Sequence, residues 1–307
     1  MSWKASDIPD QSGRVAVVTG ANGGLGLETA RELTRRGARV VMAARNLDKA
    51  ARAESEIKGQ IPDATLEVRA LDLSSLASIN QFATEVLAVY ERIDILVNNA
   101  GVMGTPRRET VDGFELQFGT NHLGHFALTA LLMPALLQAG GARVVTVTST
   151  GRFFRGKLNA EDPHLTNNYG PWRAYGQSKR ANAHFALELD RRLRTAGATV
   201  ASLVADPGYT NTDLQAQSVR TSEGSGRSQR FFHLWVQRVG VSPAAGALPQ
   251  LRAATDPAAG GGELYAPRWV SAGSPVRFPM LPPSRKTLER LWQVSERETG
   301  IDFVISG

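Results

Sequence analysis

Residues 14–26 read RVAVVTGANGGLG, a run of β-branched and small apolar residues that leads into a glycine-rich turn. The pattern predicts a strand over Arg14–Thr19 and an amphipathic helix over Leu25–Arg36. Glycines in such a turn let the backbone approach a pyrophosphate, whose charge is stabilised by free amide groups at the helix N-terminus. Turns also need glycine for purely structural reasons, but the strand–turn–helix context favours a dinucleotide site. The residues expected to form it are Gly20, Asn22, Gly23, Gly24, Leu25 and Gly26.

Outward from this turn, short β-branched runs alternate with helix-length amphipathic segments. The further strand candidates are Arg39–Ala43, Leu66–Ala70, Ile93–Val97, Arg143–Thr148, Thr199–Val204 and Glu263–Ala266. The further helix candidates are Leu47–Lys58, Leu76–Tyr90, Phe114–Gln138, Tyr175–Thr195, Pro243–Thr255 and Ser284–Thr299. Apolar strands that alternate with helices form parallel sheets covered on both faces. We therefore expect an α/β protein with a single-domain Rossmann fold over residues 1–307, a doubly wound sheet of seven parallel strands.

Composition excludes several classes of protein. The chain contains no Cys, which rules out disulfides, thiolate catalysis and Cys-ligated metal sites. The formal charge of +6 comes from scattered basic residues and not from basic runs interleaved with aromatics, so no nucleic-acid partner is expected. The polar N-terminus lacks the apolar core of a signal peptide, and the longest apolar stretch, Leu128–Leu137, is too short to span a bilayer. A soluble, cytoplasmic protein without a transmembrane segment is expected.

The end of the second strand predicts which cofactor the site accepts. An acidic side chain at this position would accept a hydrogen bond from a free ribose 2′-hydroxyl and repel a 2′-phosphate. The strand instead ends in Ala43-Ala44-Arg45, and the Arg45 guanidinium offers a planar fork for phosphate. NADP(H) is therefore expected in preference to NAD(H), the alternative being that Arg45 only solvates the start of the next helix.

Further residues at strand ends are suited to the adenosine half of the cofactor. Asp72-Leu73 follows the third strand, and its carboxylate could accept from the adenine amino group. Asp72 could equally be the N-cap of the helix that begins near Ser74 or Ser75. After the fourth strand come Asn98, Asn99, Ala100 and Gly101, of which Asn98, Ala100 and Gly101 are predicted cofactor contacts.

The residues suited to proton transfer are Tyr175 and Lys179, whose spacing of four places them on one face of a helix. The ammonium group would lower the pKa of the phenol and let it exchange a proton near neutral pH. A Tyr-x-x-x-Lys pair alone is common on helix surfaces. Ser149, at the end of an apolar strand, could hydrogen-bond a reacting oxygen, and Asn121 lies in a helix otherwise suited to packing.

Taken in chain order, these motifs resemble those of the short-chain dehydrogenase/reductase superfamily, and within it the retinol dehydrogenase-like group. The resemblance runs from about residue 13 to residue 214. Its motifs are the Thr19-to-Gly26 turn, Asp72, Asn98-Asn99-Ala100-Gly101, Asn121, Ser149, Tyr175 with Lys179, and Pro207-Gly208 followed by Thr212.

The resemblance implies an NADP-dependent oxidoreductase that moves a hydride between a nicotinamide and an alcohol or carbonyl carbon. Tyr175 would be the general acid/base, and Ser149 would hold the substrate oxygen. Lys179 would bind the nicotinamide ribose, Asn121 would hold a water of the proton relay, and Thr212 would contact the nicotinamide end of the cofactor with Pro207 and Gly208.

Two departures from the group's pattern concern the site. Asp206 stands before Pro207-Gly208 where the retinol-like group usually has His, and Thr148 replaces a Ser before Ser149. An extra segment between Ser149 and Tyr175 carries several aromatic residues. A small-molecule alcohol or carbonyl is the expected partner, lipophilic in the manner of retinol or retinal, a steroid, or a long-chain aldehyde or ketone.

Residues 209–240 occupy the position of a substrate lid in this superfamily and combine a Gly/Ser/Arg-rich half with an aromatic half. Aromatics here and in the extra segment could enclose an apolar substrate, or they could pack outer helices or a subunit interface, so homo-oligomerisation stays open. The candidate substrate residues are Phe153, Trp172, Tyr209, Phe232 and Trp235.

The sequence gives weaker support to other functions. His122 and His125 share a helix face, but no third ligand at metal spacing accompanies them, so no metal is expected. The flanks of Ser149 lack the Gly-x-Ser-x-Gly pattern of a hydrolase. The remaining alternative is a catalytically silent NADP(H)-sensing regulator, which would need only the nucleotide-binding half.

Overall fold

The computed structural model describes residues 2–154, 156, 158–210, 241–269 and 272–305. Within them, eight strands form one sheet in the order β3-β2-β1-β4-β5-β6-β7-β8. The strands are β1 Val15–Thr19, β2 Arg39–Ala44, β3 Leu66–Ala70, β4 Ile95–Asn98, β5 Arg143–Val147, β6 Ala201–Ala205, β7 Leu264–Pro267 and β8 Pro275–Phe278. The first seven run parallel, which confirms the doubly wound α/β fold.

Apart from the segment Phe114–Gln138, the helices match the predicted amphipathic segments. They are α1 Gly24–Arg35, α2 Leu47–Gln60, α3 Leu76–Leu87, α4 Leu116–Phe118, α5 Gly124–Leu137, α6 Pro171–Thr195, α7 Pro243–Thr255 and α8 Arg285–Thr299. One apolar cluster joins α1, α2 and α7 to one face of the sheet. A second cluster joins α3, α5, α6 and α8 to the other face, around Phe126, Phe185 and Trp292. The strands β1, β2, β4, β5 and β6 are thus buried on both faces, as their continuous apolar sequences predict.

Two local features differ from the sequence-based expectation. The prediction of seven strands was wrong by one, because β8 pairs antiparallel with β7 at the edge of the sheet. Its first residue is Pro275, and proline is tolerated in strands at such edge positions, where few ladder hydrogen bonds are needed. The single helix expected over Phe114–Gln138 is instead divided by a π-helical turn at Gly119–Leu123.

The strand order places the candidate site. From β1 the chain adds β2 and β3 on one side, and it then returns to add β4 and the later strands on the other side of β1. The order of strands therefore reverses between β1 and β4, which are parallel neighbours. Open α/β sheets bind ligands outside the carboxyl ends of the strands at such a reversal. In the part of the chain that the structure describes, no helix is both long and apolar enough to cross a membrane.

Candidate active site

A cleft of about 420 Å³ runs along the carboxyl ends of the central strands. One end is lined by the glycine-rich turn and by polar side chains, and the other by aromatic side chains. The predicted site residues that line it are Gly20, Asn22, Gly23, Gly24, Leu25, Arg45, Asp72, Leu73, Ala100, Gly101, Ser149, Trp172, Tyr175, Lys179, Pro207, Gly208 and Tyr209. Segments far apart in sequence therefore meet in one cavity.

The glycine-rich turn is built for close packing at the start of α1. Gly20 has φ +68°, a left-handed conformation that favours glycine. Gly26 does not line the cleft, and a Cβ placed there would lie 2.3 Å from the Gly20 carbonyl oxygen and 2.7 Å from Asn99 Nδ2. Gly26 thus lets the helix begin directly against the turn, with its free amide groups at the cleft.

A basic corner lies beyond the end of β2. Arg45 lines the cleft together with Asn46 and Lys49, which the sequence reasoning missed. Asn46 is the N-cap of α2, its Oδ1 accepting from the Lys49 amide at 2.8 Å, so the cap turns the first residues of this helix toward the cleft. The available signal was Asn46, a preferred N-cap residue between the strand and the helix that carries Lys49. Two cations beside a helix N-terminus form a pocket suited to a phosphate.

The strand-end residues divide between the cleft and the core. Asp72 lines the cleft and accepts from the Ser74 amide and hydroxyl at 2.9 and 2.6 Å, while Ser75 is the actual N-cap of α3. Asn98 is fully buried and donates to Thr129 on α5, so its placement among cofactor contacts was wrong. Side chains alternate along a strand, and it is the following residue, Asn99, that lines the cleft and donates to the Thr19 carbonyl at 2.8 Å.

Ser149, Tyr175 and Lys179 converge at the other end of the cleft. Ser149 follows β5 and caps a 3-10 turn, with its hydroxyl accepting from the Gly151 amide at 3.1 Å. Tyr175 and Lys179 lie one turn apart on α6 and are 9% and 5% exposed. Gly151 is necessary here, because a Cβ would lie 2.7 Å from the Tyr175 ring.

Burial sets the protonation of these two groups. It raises the pKa of Tyr175 to about 12, a hydrogen bond with Ser149 opposes the rise, and the Asp206 carboxylate adds to it. Burial lowers the pKa of Lys179 to about 8, against the effect of Asp206. The expectation that Lys179 brings the phenol toward neutral pKa was therefore wrong for this arrangement, and Tyr175 is a protonated acid at pH 7.

Asn121 is buried beside the cleft and does not line it. Its side chain exchanges hydrogen bonds with the Val102 backbone at 2.7 and 2.9 Å and donates to Ser178 at 2.9 Å. Ser178 in turn donates to the Tyr175 carbonyl. Asn121 thereby ties the loop after β4 to the helix that carries Tyr175 and Lys179, and its role in holding a water stays a prediction.

Aromatic residues form the wall near Tyr175. The Trp172 ring packs edge-on against Tyr175 and Phe154, with centroids 6.2 and 6.4 Å apart. Phe154 lines the cleft, whereas the predicted Phe153 lies outside it with 73% of its surface exposed. Thr212, Phe232 and Trp235, and the lid proposed for residues 209–240 apart from Tyr209 and Thr210, lie outside the described residues.

Comparison with known proteins identifies the family. The model of the short chain dehydrogenase family matches residues 14–223. Polyprenol dehydrogenase of Mus musculus is 46% identical over 211 residues, or 67% of this chain and 63% of that protein, so the chain spans less than two thirds of that relative. Retinol dehydrogenase 12 of Mus musculus is 39% identical over 296 residues, which cover 95% of this chain and 88% of that protein.

Solved structures agree with this result. A crystal structure described as an uncharacterized protein of Mycobacterium paratuberculosis is 39% identical, with a TM-score of 0.79 over 99% of this chain and 100% of that chain. Another, described as an NAD(P)-dependent gluconate 5-dehydrogenase of Beutenbergia cavernae with bound NADP at low occupancy, is 25% identical, with a TM-score of 0.65 over 83% of this chain and 95% of that chain. The chain belongs to the short-chain dehydrogenase family, and its sequence places it with the retinol dehydrogenase-like group.

Proposed function

We propose that this protein is an NADP(H)-dependent oxidoreductase that interconverts a lipophilic alcohol and its carbonyl form. The observation that carries the proposal is the single cleft, which joins the glycine-rich turn and the basic corner at one end to Ser149, Tyr175 and Lys179 at the other. A dinucleotide that spans the cleft would place its phosphates and its nicotinamide next to the groups suited to each.

The residues of the cleft fit this cofactor. Because Gly26 lacks a Cβ, α1 begins directly against the turn, and the amide groups at its start would meet the pyrophosphate. Arg45 and Lys49 would hold the 2′-phosphate, and Asp72 the adenine. Lys179 would bind the nicotinamide ribose. NADP(H), when bound, supplies or accepts the hydride, and the NADP-containing relative supports this choice.

The chain's own residues then handle the proton and the substrate oxygen. In reduction, the Tyr175 hydroxyl donates its proton to the oxygen as negative charge develops there, and Ser149 donates a hydrogen bond to the same oxygen. Since the pKa of Tyr175 is raised to about 12, the phenol is already in its acid form at neutral pH. In oxidation the phenol must first lose its proton, so this direction gains rate as the pH rises.

The aromatic wall supports a lipophilic substrate. Phe154, Trp172 and Tyr209 line the cleft next to Tyr175, and Met103 adds a further apolar surface. Apolar walls with a few polar groups are typical of sites for lipophilic small molecules. The relatives named for retinol and polyprenol point to the same class. A single domain with a lid over residues 209–240 remains our proposal.

The test is a turnover screen with NADPH and aldehydes of increasing chain length, together with retinal, followed by the nicotinamide absorbance. Tyr175→Phe is the matched control, because the ring is kept and only the hydroxyl is removed. We expect turnover with the long-chain and polyene substrates that is lost in the control. Tight NADPH binding without turnover of any substrate would instead support the silent regulator.

A further inference from the structure

A largely buried ion pair joins two of the segments that form the reactive end of the cleft. Arg152 lies in the 3-10 turn after Ser149, and Asp206 follows β6, directly before Pro207-Gly208. The guanidinium Nη1 donates to Asp206 Oδ2, and the two side chains are 13% and 2% exposed. Removing one partner of such a pair is strongly destabilising, because the other charge is left without a counter-ion where little water reaches it. Each of the two charges is therefore stable at this position only while the other is present.

Each partner also holds the backbone of its own segment. Arg152 Nη1 donates to the Ser149 carbonyl at 3.1 Å, and Asp206 Oδ1 accepts from the Gly208 amide at 3.0 Å. The catalytic helix is tied to the same point, because Arg180, next to Lys179, donates to the Arg152 carbonyl. The ion pair thus links the Ser149 turn, the Pro207-Gly208 turn and α6.

We propose that Arg152 and Asp206 are positioning residues, whose ion pair holds the Ser149 turn against the Pro207-Gly208 turn and thereby fixes the serine hydroxyl relative to the nicotinamide end of the cofactor. The proposal rests on the function proposed above. It also accounts for the sequence departure at Asp206, where the resemblance leads one to expect His: an acid at this position is stable because Arg152 neutralises it.

The ion pair also belongs to the electrostatic environment of Tyr175 and Lys179. Among the described residues, the charged or titratable groups around them include Asp206 from the end of β6, Arg152 from the 3-10 turn, His125 from α5 and, on α6 itself, Arg180. His125 is neutral, since burial lowers its pKa to about 4. The Asp206 carboxylate raises the pKa of both Tyr175 and Lys179. Because the Arg152 guanidinium pairs with that carboxylate, we expect Arg152 to weaken this effect.

Substitutions of the two partners are therefore expected to shift the pH dependence of activity in opposite directions. Arg152→Gln leaves the carboxylate uncompensated, so the phenol holds its proton to higher pH. Asp206→Asn removes the negative charge while its Oδ1 can still accept from Gly208, so the phenol loses its proton at lower pH. The double variant carries neither charge and should fall between the two.

The experiment measures kcat and KM against pH in the alcohol-oxidising direction for both single variants and the double variant. Arg285→Gln is the control, because it breaks an exposed pair with Glu289 on α8. We expect each single variant to lower kcat roughly tenfold to a hundredfold, as misplacement of reacting groups does, with opposite shifts of the pH midpoint. The double variant should recover part of the loss. Additive losses with unmoved midpoints would overturn the proposal.

A separate readout distinguishes this inference from the function on which it rests. NADPH affinity, measured by fluorescence, does not need turnover. If the wild type binds NADPH but turns over no substrate, the proposed function fails, and the ion pair is judged by binding alone. The proposal then expects each single variant to weaken NADPH binding several-fold and the double variant to restore part of it. Single variants that bind as tightly as the wild type would overturn it.

Discussion

The Nε2 atom of His125 lies 2.9 Å from the hydroxyl of Thr19, where β1 ends in the glycine-rich turn. Its other ring nitrogen, Nδ1, lies 2.9 Å from the Asn121 carbonyl oxygen, which can only accept, so the proton is assigned to Nδ1. The Thr19 hydroxyl therefore donates to Nε2, while its oxygen accepts from the amides of Asn99 and Ala100. One neutral imidazole therefore connects the glycine-rich turn to the segment that carries Asn121.

We expect His125→Phe to lower the free energy of unfolding by about 1–3 kcal/mol, because it leaves two buried polar groups without their partner. Burial lowers the pKa of His125 from 6.5 to about 4. Between these values the unfolded chain binds the proton more tightly, so stability is complete above pH 6.5 and declines toward pH 4. Urea unfolding across this range should show a smaller pH dependence in the variant. If the free energy of unfolding depends on pH as steeply in the variant as in the wild type, the acid sensitivity belongs to other groups.

Tyr175→Phe should reduce turnover by at least about a hundredfold, the scale of general acid catalysis, while NADPH still binds. The hydroxyl is the only atom removed, and the ring still packs against Trp172. Single-turnover kinetics and fluorescence titration of NADPH measure the two properties separately. A variant with wild-type rate would remove Tyr175 from the mechanism.

Ala44→Asp combined with Arg45→Ala should shift cofactor preference from NADP(H) toward NAD(H). Both residues line the cleft at the end of β2, and the new carboxylate would repel a 2′-phosphate and accept from a free 2′-hydroxyl. The ratio of kcat/KM for the two cofactors is the measurement. Lys49→Ala, tested alone, should weaken NADP(H) and leave NAD(H) unaffected. Wild-type preference for NAD(H) would contradict our interpretation of this strand end.

Lys179→Met should abolish turnover and yet stabilise the fold. Burial lowers the pKa of Lys179 from 10.5 to about 8, so below pH 8 the folded protein holds the charge at a cost of about 3 kcal/mol. This cost shrinks between pH 8 and 10.5 as the folded ammonium loses its proton, and it is absent above. Thermal unfolding should thus show a higher Tm for the variant at pH 7 and a smaller difference at pH 9.5. A variant that is less stable at pH 7 would show that the hydrogen bond to the Val147 carbonyl outweighs the burial of the charge.

Trp172→Ala should raise KM for long-chain carbonyl substrates far more than for short ones, because it removes the apolar wall next to Tyr175. Trp269→Ala is the matched control, since that indole is 71% exposed and does not line the cleft. Steady-state kinetics over a series of chain lengths is the measurement. Equal effects on all chain lengths would assign Trp172 to packing.

The parts of the fold that sequence could predict are those dictated by local pattern. The period of apolar residues located the parallel strands and the helices, and the glycine-rich turn located one end of the cleft. Patterns could not predict long-range partners: Arg152 and Asp206 are 54 residues apart, and nothing near either one indicates the other. The prediction that Asn98 contacts the cofactor was in error by one residue. Side chains alternate along a strand, and this alternation decides which of two adjacent asparagines faces the core.

The π-helical turn at Gly119–Leu123 has a consequence for how this site tolerates changes in chain length. Its widened hydrogen bond, from the Gly124 amide to the Gly119 carbonyl, accommodates one more residue than an α-helical turn would. Each residue of an α-helix advances the side chains by about 100°. Deleting one residue here would let the turn relax to α-helix and rotate Asn121 away from Val102, while the α5 side chains that pack the core would keep their orientation. A single-residue deletion is therefore expected to be more damaging to the site than most substitutions at the same positions.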